Sequence, residues 1–327
     1  MKNFDVCALG EVLIDFTPAG KSEKGMPLFE CNPGGAPANV LAAVNKLGGR
    51  GAFIGKIGDD AHGRFLADSM KQSDIDLTGL RIDREIPTTL AFVSLDEKGD
   101  RSFSFYRKPG ADLMLRESEV DECLLSDCRI FHFGSVSLTG DPARTATLES
   151  AKKARNAGAL VSYDPNYRPL LWNNETEAVA EMKKGFPLAD IIKVSDYELV
   201  LLTGESDLDR GAEMLLGYGA SLVLISMGPG GSYIANKNAS VKLATYDVKT
   251  VDTTGAGDAF LGAVLSRLAD KKADEIAELD IDELRDILDY ANACGSLTTI
   301  KTGAAPAIPT PAEIEECRRT VPLIKEA

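Results

Sequence analysis

The stretch VDTTGAGDAF at residues 251–260 leads directly into an apolar segment. Apolar residues recur there with helical spacing, at Phe260, Leu261, Val264, Leu265 and Leu268. This spacing predicts a helix that begins within the glycine-rich part of the stretch. The first N–H groups of a helix lack internal partners, and the helix dipole places partial positive charge there. Glycines let an anion approach closely, so the stretch predicts an anion-binding helix start.

Asp258 lies where such an anion would bind. A carboxylate beside an anion site suits phosphoryl transfer to an alcohol. In that reaction a base takes the hydroxyl proton while backbone donors hold the phosphoryl group. The pattern therefore favours a catalytic role for Asp258. The alternative is a plain glycine turn with an acidic first helical turn, because so short a pattern is weak evidence alone.

Composition and charge narrow the possible classes of protein. The 327-residue chain is 44% hydrophobic, as expected for a globular protein with a substantial core. Its net charge of −14 argues against nucleic acid or an anionic membrane as a partner. Six cysteines without a CxxC pair, and only two histidines, argue against a zinc site. No signal sequence or membrane span is visible, and we expect a cytoplasmic protein with reduced cysteines.

Strand-like and helix-like segments alternate from residue 129 onward. The predicted strands are 130–134, 160–163, 191–194 and 222–226, and the predicted helices are 142–156, 175–186 and 210–216. This alternation predicts a mostly parallel sheet with helices on both faces, and ligands at the carboxyl ends of its strands. A first strand is expected at 4–9. No GxGxxG motif follows it, which argues against a dinucleotide-binding dehydrogenase.

Polar segments follow three of these strands, at residues 163–168, 193–198 and 226–231. Arg168 suits phosphate binding. The glycine-rich segment 226–231 lacks the Lys-Ser/Thr pair of a P-loop. Each segment alone could be a connecting loop, but their shared position at one sheet edge favours a binding site.

The N-terminal part of the chain adds two candidate sites. Asp15 ends an apolar strand, where it could cap a turn or bind a ligand. Gly34 and Gly35 precede a predicted helix, and Asn39 lies one turn inside it. Its amide offers a donor and an acceptor that suit a sugar hydroxyl, although a solvated Asn beside a plain loop is the alternative.

A hairpin interrupts the alternation of strands and helices. The β-rich runs 88–95 and 102–106 are separated by the turn-like residues 96–100. Phe103, Phe105 and Arg107 share one face of the second run. A solvated sheet face is the alternative interpretation of these three residues.

Several motifs together carry a family resemblance. They are Gly10-Glu11 with Ile14-Asp15, PGGAPANV at 33–40, FIGKIGDD at 53–60, FHFGS at 131–135, Asp164-Pro165-Asn166 with Arg168 and Trp172, and DTTGAGDAF at 252–260. This set resembles the ribokinase-like (PfkB) sugar kinases nearly end to end, and within them the fructokinases. The resemblance implies an α/β fold with a three-layer α/β/α core, a mostly parallel sheet and a small β-sheet lid. It implies one kinase domain over residues 1–327, with the lid at about 16–33 and 86–110.

The resemblance also assigns roles to individual residues. It implies Asp258 as the base and the backbone of Gly255, Ala256 and Gly257 as the anion hole. The sugar would contact Asp15, Gly34, Gly35, Asn39, Phe105, Arg107 and Asp258. The nucleotide would face Asn166, Arg168, Ser195, Ser226, Gly228, Gly231, Gly255, Gly257 and Asn292. Glu198 would hold Mg²⁺ through water, and Asp252, Thr254 and Gly303 resemble a site for K⁺.

The implied activity is ATP-dependent phosphorylation of D-fructose to fructose 6-phosphate, with Mg²⁺ and with K⁺ as a further expected ion. Two alternatives stay open. The first is a kinase of the same fold acting on 2-keto-3-deoxygluconate or another small sugar, whose acid group Arg107 or Arg168 could bind. The second is a silent regulator that binds sugar or nucleotide, against which the intact Asp258 argues. The resemblance also implies a homodimer formed through the lid.

Overall fold

The computed structural model describes residues 2–95 and 101–325. Its strands are β1 (Phe4–Leu9), β2 (Leu13–Lys21), β3 (Pro27–Gly34), β4 (Gly51–Gly58), β5 (Asp76–Asp83), β6 (Leu90–Leu95), β7 (Arg101–Tyr106), β8 (Cys128–Gly134), β9 (Leu160–Asp164), β10 (Ile191–Ser195), β11 (Leu222–Ser226), β12 (Ser232–Ala235) and β13 (Ser240–Leu243). Its helices are α1 (Ala36–Lys46), α2 (Ala61–Gln72), α3 (Glu122–Ser126), α4 (Ala143–Asn156), α5 (Glu175–Met182), α6 (Asp196–Thr203), α7 (Leu208–Leu216), α8 (Ala256–Leu268), α9 (Ala273–Ala277), α10 (Ile281–Thr298) and α11 (Pro311–Thr320).

A mostly parallel sheet forms the centre of the molecule. In the described chain it has nine strands in the order β13-β12-β11-β10-β9-β8-β1-β4-β5. The pairs from β11 across to β5 are parallel, and β12 and β13 add an antiparallel edge. The inner strands are mostly apolar because both faces of the sheet are covered there. The sequence prediction of a mostly parallel sheet is therefore confirmed.

Helices cover the two faces of this sheet in separate layers. One face packs against α1, α8 and α10, which contribute residues such as Leu41, Leu261 and Leu288 to one apolar cluster. The other face packs against α4 to α7, with Ala146 and Leu199 in a second cluster. The three-layer arrangement implied by the family resemblance is thus present.

A second sheet lies apart from the first and corresponds to the expected lid. Its four described strands have the order β3-β2-β6-β7. The β2–β6 pair is parallel, whereas β2–β3 and β6–β7 are antiparallel. The turn predicted at 96–100 and the side chain of Phe103 lie outside the described residues. That the whole chain is a single domain stays a prediction.

Some boundaries differ from those expected. The helix predicted over 175–186 ends at Met182, and a single helical turn at Phe186–Leu188 follows. Gly185 lies in the part of the predicted helix that is not formed and Pro187 follows that part directly, and glycine and proline have the lowest helix propensities. Strand β5 was not predicted, because its residues include Gly79 and little apolar alternation. Among the described helices, none is long and apolar enough to cross a membrane.

Candidate active site

Helices α1 and α8 cross at close range, and this crossing brings their N-terminal turns together. A Cβ atom at Gly262 would lie 2.5 Å from Cβ of Ala43 and 2.9 Å from the carbonyl oxygen of Val40. Only glycine permits this approach. At the adjoining helix starts, Nδ2 of Asn39 donates a hydrogen bond of 2.8 Å to Oδ2 of Asp258. The structure therefore joins two residues that the sequence places 219 positions apart.

Both helices begin at a glycine with positive φ. Gly35 has φ 124°, and a Cβ atom there would lie 2.5 Å from the carbonyl oxygen of Glu11. Gly255 has φ 75°, and a Cβ atom there would collide with Ala304. Both helix starts border the cleft between the sheets. At α1 the N–H of Ala36 donates to Oε1 of Glu11, whereas at α8 the N–H of Ala256 makes a long bond of 3.3 Å to the carbonyl oxygen of Thr253. The predicted anion hole at residues 255–257 thus coincides with the start of α8.

Asp258 occupies the first turn of α8 and is half-buried. Burial raises the pKa of its carboxyl group, while the Asn39 hydrogen bond and the charges of Lys193 and Arg168 oppose this effect. Asp164 adds a repulsion that raises the pKa further. A carboxylate with a raised pKa at a helix N-terminus can accept a proton beside a bound anion.

Asp15 faces the cleft from the lid sheet. In the strand pairing it aligns with Asn32, with Ala91 and, through Ala91, with Phe105. Directly opposed residues share a face of a sheet, so Asp15 and Phe105 lie on the same side. A Cβ atom at Gly34 would collide with the Asp15 carboxylate. Burial raises the pKa of Asp15 to about 6, and the charge of Arg168 opposes this.

Arg107 is buried at the base of the lid rather than exposed in the cleft. Its Nε donates to Oδ2 of Asp112 at 2.8 Å, and its Nη1 donates to Oγ1 of Thr139 at 2.6 Å. Its Nη2 donates to the carbonyl oxygen of Val136 at 3.0 Å and lies 2.6 Å from Asp112 Oδ2. These contacts tie the end of β7 to the core. That Arg107 contacts the sugar stays a prediction.

Glu11 is a buried residue to which sequence reasoning assigned no role. Its Oε1 accepts a hydrogen bond of 3.1 Å from the backbone N–H of Ala36, the first residue of α1. Its Oε2 has no partner among the described residues. Burial raises its pKa to about 7. Glu11 thus holds the loop of Gly34 and Gly35 in place. Its position just after a buried strand is the feature of the sequence that could have pointed to this role.

The loop after β9 supplies two of the predicted nucleotide residues. Asn166 has φ 49°, and its N–H donates to Oδ1 of Asp164 at 3.1 Å. Arg168 is exposed, and its charge lowers the pKa of both Asp15 and Asp258. Arg168 therefore faces the cleft between the lid and the anion hole, where a phosphate could reach it.

Ser195 and Glu198 form a capping box at the start of α6. Oε2 of Glu198 accepts from the N–H of Ser195 at 2.7 Å and from its hydroxyl at 2.9 Å. Oε1 accepts from the N–H of Tyr167 at 2.6 Å. These bonds fix a buried carboxylate near the cleft. No group of three or more potential metal ligands gathers among the described residues, and the Mg²⁺ role of Glu198 stays a prediction.

The remaining predicted nucleotide residues lie at the end of β11 and beside it. Gly228 and Gly231 both have positive φ, in the loop that follows Ser226. Asn292 is buried in α10. Its Oδ1 accepts from Ser232 Oγ at 2.7 Å and its Nδ2 donates to the carbonyl oxygen of Ala244 at 3.2 Å. The structure thus gives Asn292 two protein partners, and its contact with nucleotide stays a prediction.

The three residues of the predicted cation site lie together. Oδ1 of Asp252 accepts from the N–H of Thr254 at 3.0 Å and from its hydroxyl at 2.7 Å. Oδ2 of Asp252 accepts from the N–H of Gly303 at 3.0 Å. These hydrogen bonds therefore hold the segment before α8 against the loop after α10, directly beside the anion hole.

An anion-binding helix start beside carboxylates, at the carboxyl edge of a parallel sheet, is the arrangement of a small-molecule kinase. Comparison with known proteins agrees. Residues 3–311 match the family described as pfkB family carbohydrate kinase. The chain belongs to the pfkB family of carbohydrate kinases.

Individual relatives are similar over nearly the whole chain. A probable fructokinase-2 from Arabidopsis thaliana is 44% identical over 314 residues, which cover 94% of either chain. The structure of a fructokinase with bound ATP from Xylella fastidiosa has a TM-score of 0.89 and 35% identity, covering 96% of this chain and 98% of that one. A double-mutant fructokinase from Vibrio cholerae O395, with fructose, ADP and potassium ion bound, has a TM-score of 0.84 and 32% identity. The match covers 97% of this chain and 99% of that one.

Proposed function

We propose that this protein is a fructokinase, which transfers the γ-phosphoryl group of ATP to D-fructose and forms fructose 6-phosphate. The observation that carries the proposal is Asp258, placed at the open N-terminus of α8 and hydrogen-bonded to Asn39. Asp15 faces the same cleft from the lid. The fructokinase names and bound ligands of the relatives support fructose as the acceptor.

The residues suit an in-line transfer. The 6-hydroxyl oxygen of fructose attacks the γ-phosphorus, the new O–P bond forms, and the bond from phosphorus to the bridging oxygen of ADP breaks. The hydroxyl proton passes to the carboxylate of Asp258. The N–H groups of Gly255, Ala256 and Gly257 hold the charged phosphoryl oxygens. Asp15, Gly34, Gly35 and Asn39 orient the sugar, with Phe105 on the same lid face.

We propose that the nucleotide is ATP, with Asn166, Arg168, Ser195, Ser226, Gly228, Gly231 and Asn292 along its path. Mg²⁺ usually keeps several waters and binds through one or two carboxylates and substrate phosphates. The fixed carboxylate of Glu198 fits that mode of binding. When bound, Mg²⁺ supplies neutralising charge to the β- and γ-phosphates.

For K⁺, the oxygen-rich segment of Asp252, Thr254 and Gly303 is the proposed site. The potassium ion bound in the Vibrio cholerae relative supports it. Six free cysteines in the described chain suit a reducing compartment, so we also propose a cytoplasmic location.

A homodimer formed through the lid is a further proposal. The lid face opposite Asp15 is aromatic, with Phe16, Phe29, Phe92 and Tyr106 in ring contact along it. The side chains of Phe29 and Tyr106 are 44% and 65% exposed. An exposed aromatic patch of this kind is suited to pairing with a second copy.

The experiment that tests the activity is a measurement of ADP release with MgATP across fructose, glucose, ribose and 2-keto-3-deoxygluconate. Fructose should give the highest kcat/KM. Asp258→Asn should lower kcat at least ~10²-fold, because a positioned base contributes that much or more. The control is Asp68→Asn, which changes an exposed aspartate on α2 and should leave kcat unchanged.

The other outcomes separate the alternatives. A higher kcat/KM on 2-keto-3-deoxygluconate would give the same mechanism a different substrate, with Arg168 beside Asp15 as the cation for its acid group. Turnover that survives in Asp258→Asn would remove the base from the mechanism. An absence of turnover on all four sugars would favour a silent binding protein.

A further inference from the structure

A buried lysine lies directly beneath the anion hole, and no step of the proposed phosphoryl transfer uses it. Lys193 is the central residue of β10 and is 6% exposed. Its ammonium lies 2.6 Å from Oδ2 of Asp164, at the end of the neighbouring strand β9. In the described parts of the chain, Asp164 is the only hydrogen-bond partner of this ammonium. An ammonium group carries three donors, so two remain.

The ammonium also approaches the backbone that would hold the phosphoryl group. A Cβ atom at Gly257 would lie 3.5 Å from Nζ of Lys193 and 3.8 Å from its Cε. Apart from Ala256 and Asp258, the chain neighbours of Gly257, no other side chain of the described residues comes within 4 Å of that point. Lys193 therefore lies under Gly257, the last residue of the anion hole.

The charges around Lys193 come from several elements. Asp164 faces it from β9, Glu198 from α6 and Asp258 from α8. His132 on β8 is neutral because burial lowers its pKa to about 3, with the charge of Lys193 as a further cause. Three carboxylates thus surround one buried ammonium, which stays charged because their attraction raises its pKa despite burial.

If the ion pair only joined β9 to β10, its desolvation would cost more free energy than an apolar contact at the same place. Removing an ammonium and a carboxylate from water costs several kcal/mol per ion, and a well-packed apolar pair often replaces such a pair without loss. The position of the ammonium below Gly257 is better explained by a positive charge directed at the reaction.

We propose that Lys193 is a positioning residue for phosphoryl transfer, acting through Asp258 and the anion hole. Its ammonium keeps a positive charge beneath the bound phosphoryl group and holds the Asp258 carboxylate ionised so that it can accept the sugar proton. Asp164 fixes the ammonium in this place. The inference rests on the proposed function and adds a charge that the backbone donors alone do not provide.

The test is the pH profile of kcat in three variants, measured on the sugar that the unmodified enzyme turns over. Four groups set the ionisation of Asp258: Asn39 from α1, Lys193 from β10, Asp164 from β9 and Arg168 from the loop after β9. Lys193→Met removes one of these charges with little change in shape. Its kcat should fall at least ~10-fold at neutral pH, its acid limb should move upward by about one pH unit, and its KM for the sugar should change little.

Two further variants separate this role from folding. Lys193→Arg keeps the charge, so its acid limb should return toward that of the unmodified enzyme. The double variant Lys193→Met/Asp164→Asn removes the unpaired carboxylate and should recover thermal stability, yet its kcat should stay low and its acid limb should stay raised. The charge of Lys193 affects the pKa of Asp258 more strongly than that of Asp164 does, so removing both still leaves that pKa higher than in the unmodified enzyme.

The inference is overturned if Lys193→Met keeps the acid limb in place and loses activity only in proportion to its unfolded fraction. It is also overturned if the double variant recovers both stability and full kcat, because the ion pair would then serve packing alone. Failure of the proposed function is a separate result, since it shows as an absence of turnover in the unmodified enzyme.

Discussion

Two carboxylates with raised pKa values face the cleft, and their neighbours give them different tasks. Asp258 lies at a helix N-terminus, where Asn39 and nearby cations favour its ionised form. Asp15 lies on the lid sheet, where Arg168 is the favourable charge. A base beside the phosphoryl group and a hydrogen-bond acceptor beside the sugar are the roles that fit these positions.

The pKa of Asp15, raised to about 6 by burial, predicts a pH dependence of sugar binding. Above pH 6 the ionised carboxylate accepts hydrogen bonds from sugar hydroxyls, and a hydrogen bond to a charged group contributes about 1.5–3 kcal/mol. As the pH falls through 6, Asp15 is protonated and this contribution weakens. The Kd for fructose, measured by calorimetry without nucleotide, should rise about 10-fold between pH 8 and pH 5.

Matched variants assign that dependence to one carboxylate. Asp15→Asn should bind fructose weakly at both pH values, with little change between them. Asp258→Asn removes the other cleft carboxylate and should keep the dependence. A Kd for the unmodified protein that is constant from pH 5 to pH 8 would contradict the role of Asp15.

The sequence predicted the site residues that belong to a recognisable local pattern. It did not predict the residues whose role depends on their buried partners. Asp258 and Asn39 follow glycine-rich helix starts, and the structure brings them into contact. Lys193 and Glu11 lie in or after apolar strands, where nothing in the sequence indicates which partner each will meet. For Arg107, the sequence showed its face of the strand but not the buried Asp112 with which it pairs.

At the scale of secondary-structure elements, the crossing of α1 and α8 determines the geometry of the site. Both helices begin at glycines and end in the same apolar cluster. Their separation is set by Gly262, since a side chain there would meet Ala43 and Val40. The distance from Asn39 to Asp258 is therefore a consequence of packing about one turn away from the reacting groups.

Gly262→Val should therefore damage catalysis as well as stability. The added side chain would force α1 and α8 apart, and overpacking of this kind costs about 1–3 kcal/mol of the free energy of unfolding. The Asn39–Asp258 hydrogen bond should lengthen, and kcat should fall about 10²-fold, as expected for a small misplacement of reacting groups. Thermal unfolding and steady-state kinetics measure the two effects.

The control is a glycine that packs tightly in a different helix and is not part of the crossing of α1 and α8. Gly211 in α7 would place a Cβ atom 2.7 Å from the side chain of Leu199. Gly211→Ala should lower stability while leaving the kcat of the folded enzyme unchanged. If Gly262→Val lost stability without losing kcat, the helix crossing would not control the site.

The elements themselves were predictable where periodicity was strong. Helix α8 was expected from five apolar positions, and it begins at Ala256 inside the glycine-rich stretch, as the sequence indicated. Strand β5 was missed because it is an edge strand with a glycine and many polar residues. The close approach of α1 and α8 was not predictable, because the need for glycine at position 262 arises only from its contact with the partner helix.

At the scale of the whole molecule, the two sheets contribute different parts of the proposed site. The proposed nucleotide residues and the proposed base lie at the carboxyl edge of the nine-stranded sheet, as described. The small sheet has Asp15 and Phe105 on one face, which is the face proposed to contact the sugar. Its other face presents aromatic side chains that the chain itself leaves partly exposed. The family resemblance implied the lid segments, whereas the two faces of the small sheet became visible only with the strand register.

The exposed aromatic face predicts self-association through the lid. Phe29→Asp places a charge among Phe16, Phe92 and Tyr106, and burying an unpaired charge in an interface is strongly unfavourable. Light scattering after size-exclusion chromatography should give twice the mass of one chain for the unmodified protein and a single-chain mass for Phe29→Asp. Met214→Asp changes an equally exposed apolar residue on α7 and should remain a dimer. A monomeric unmodified protein would show that the aromatic face serves only the lid's own packing, and a dimeric Phe29→Asp variant would move the interface elsewhere.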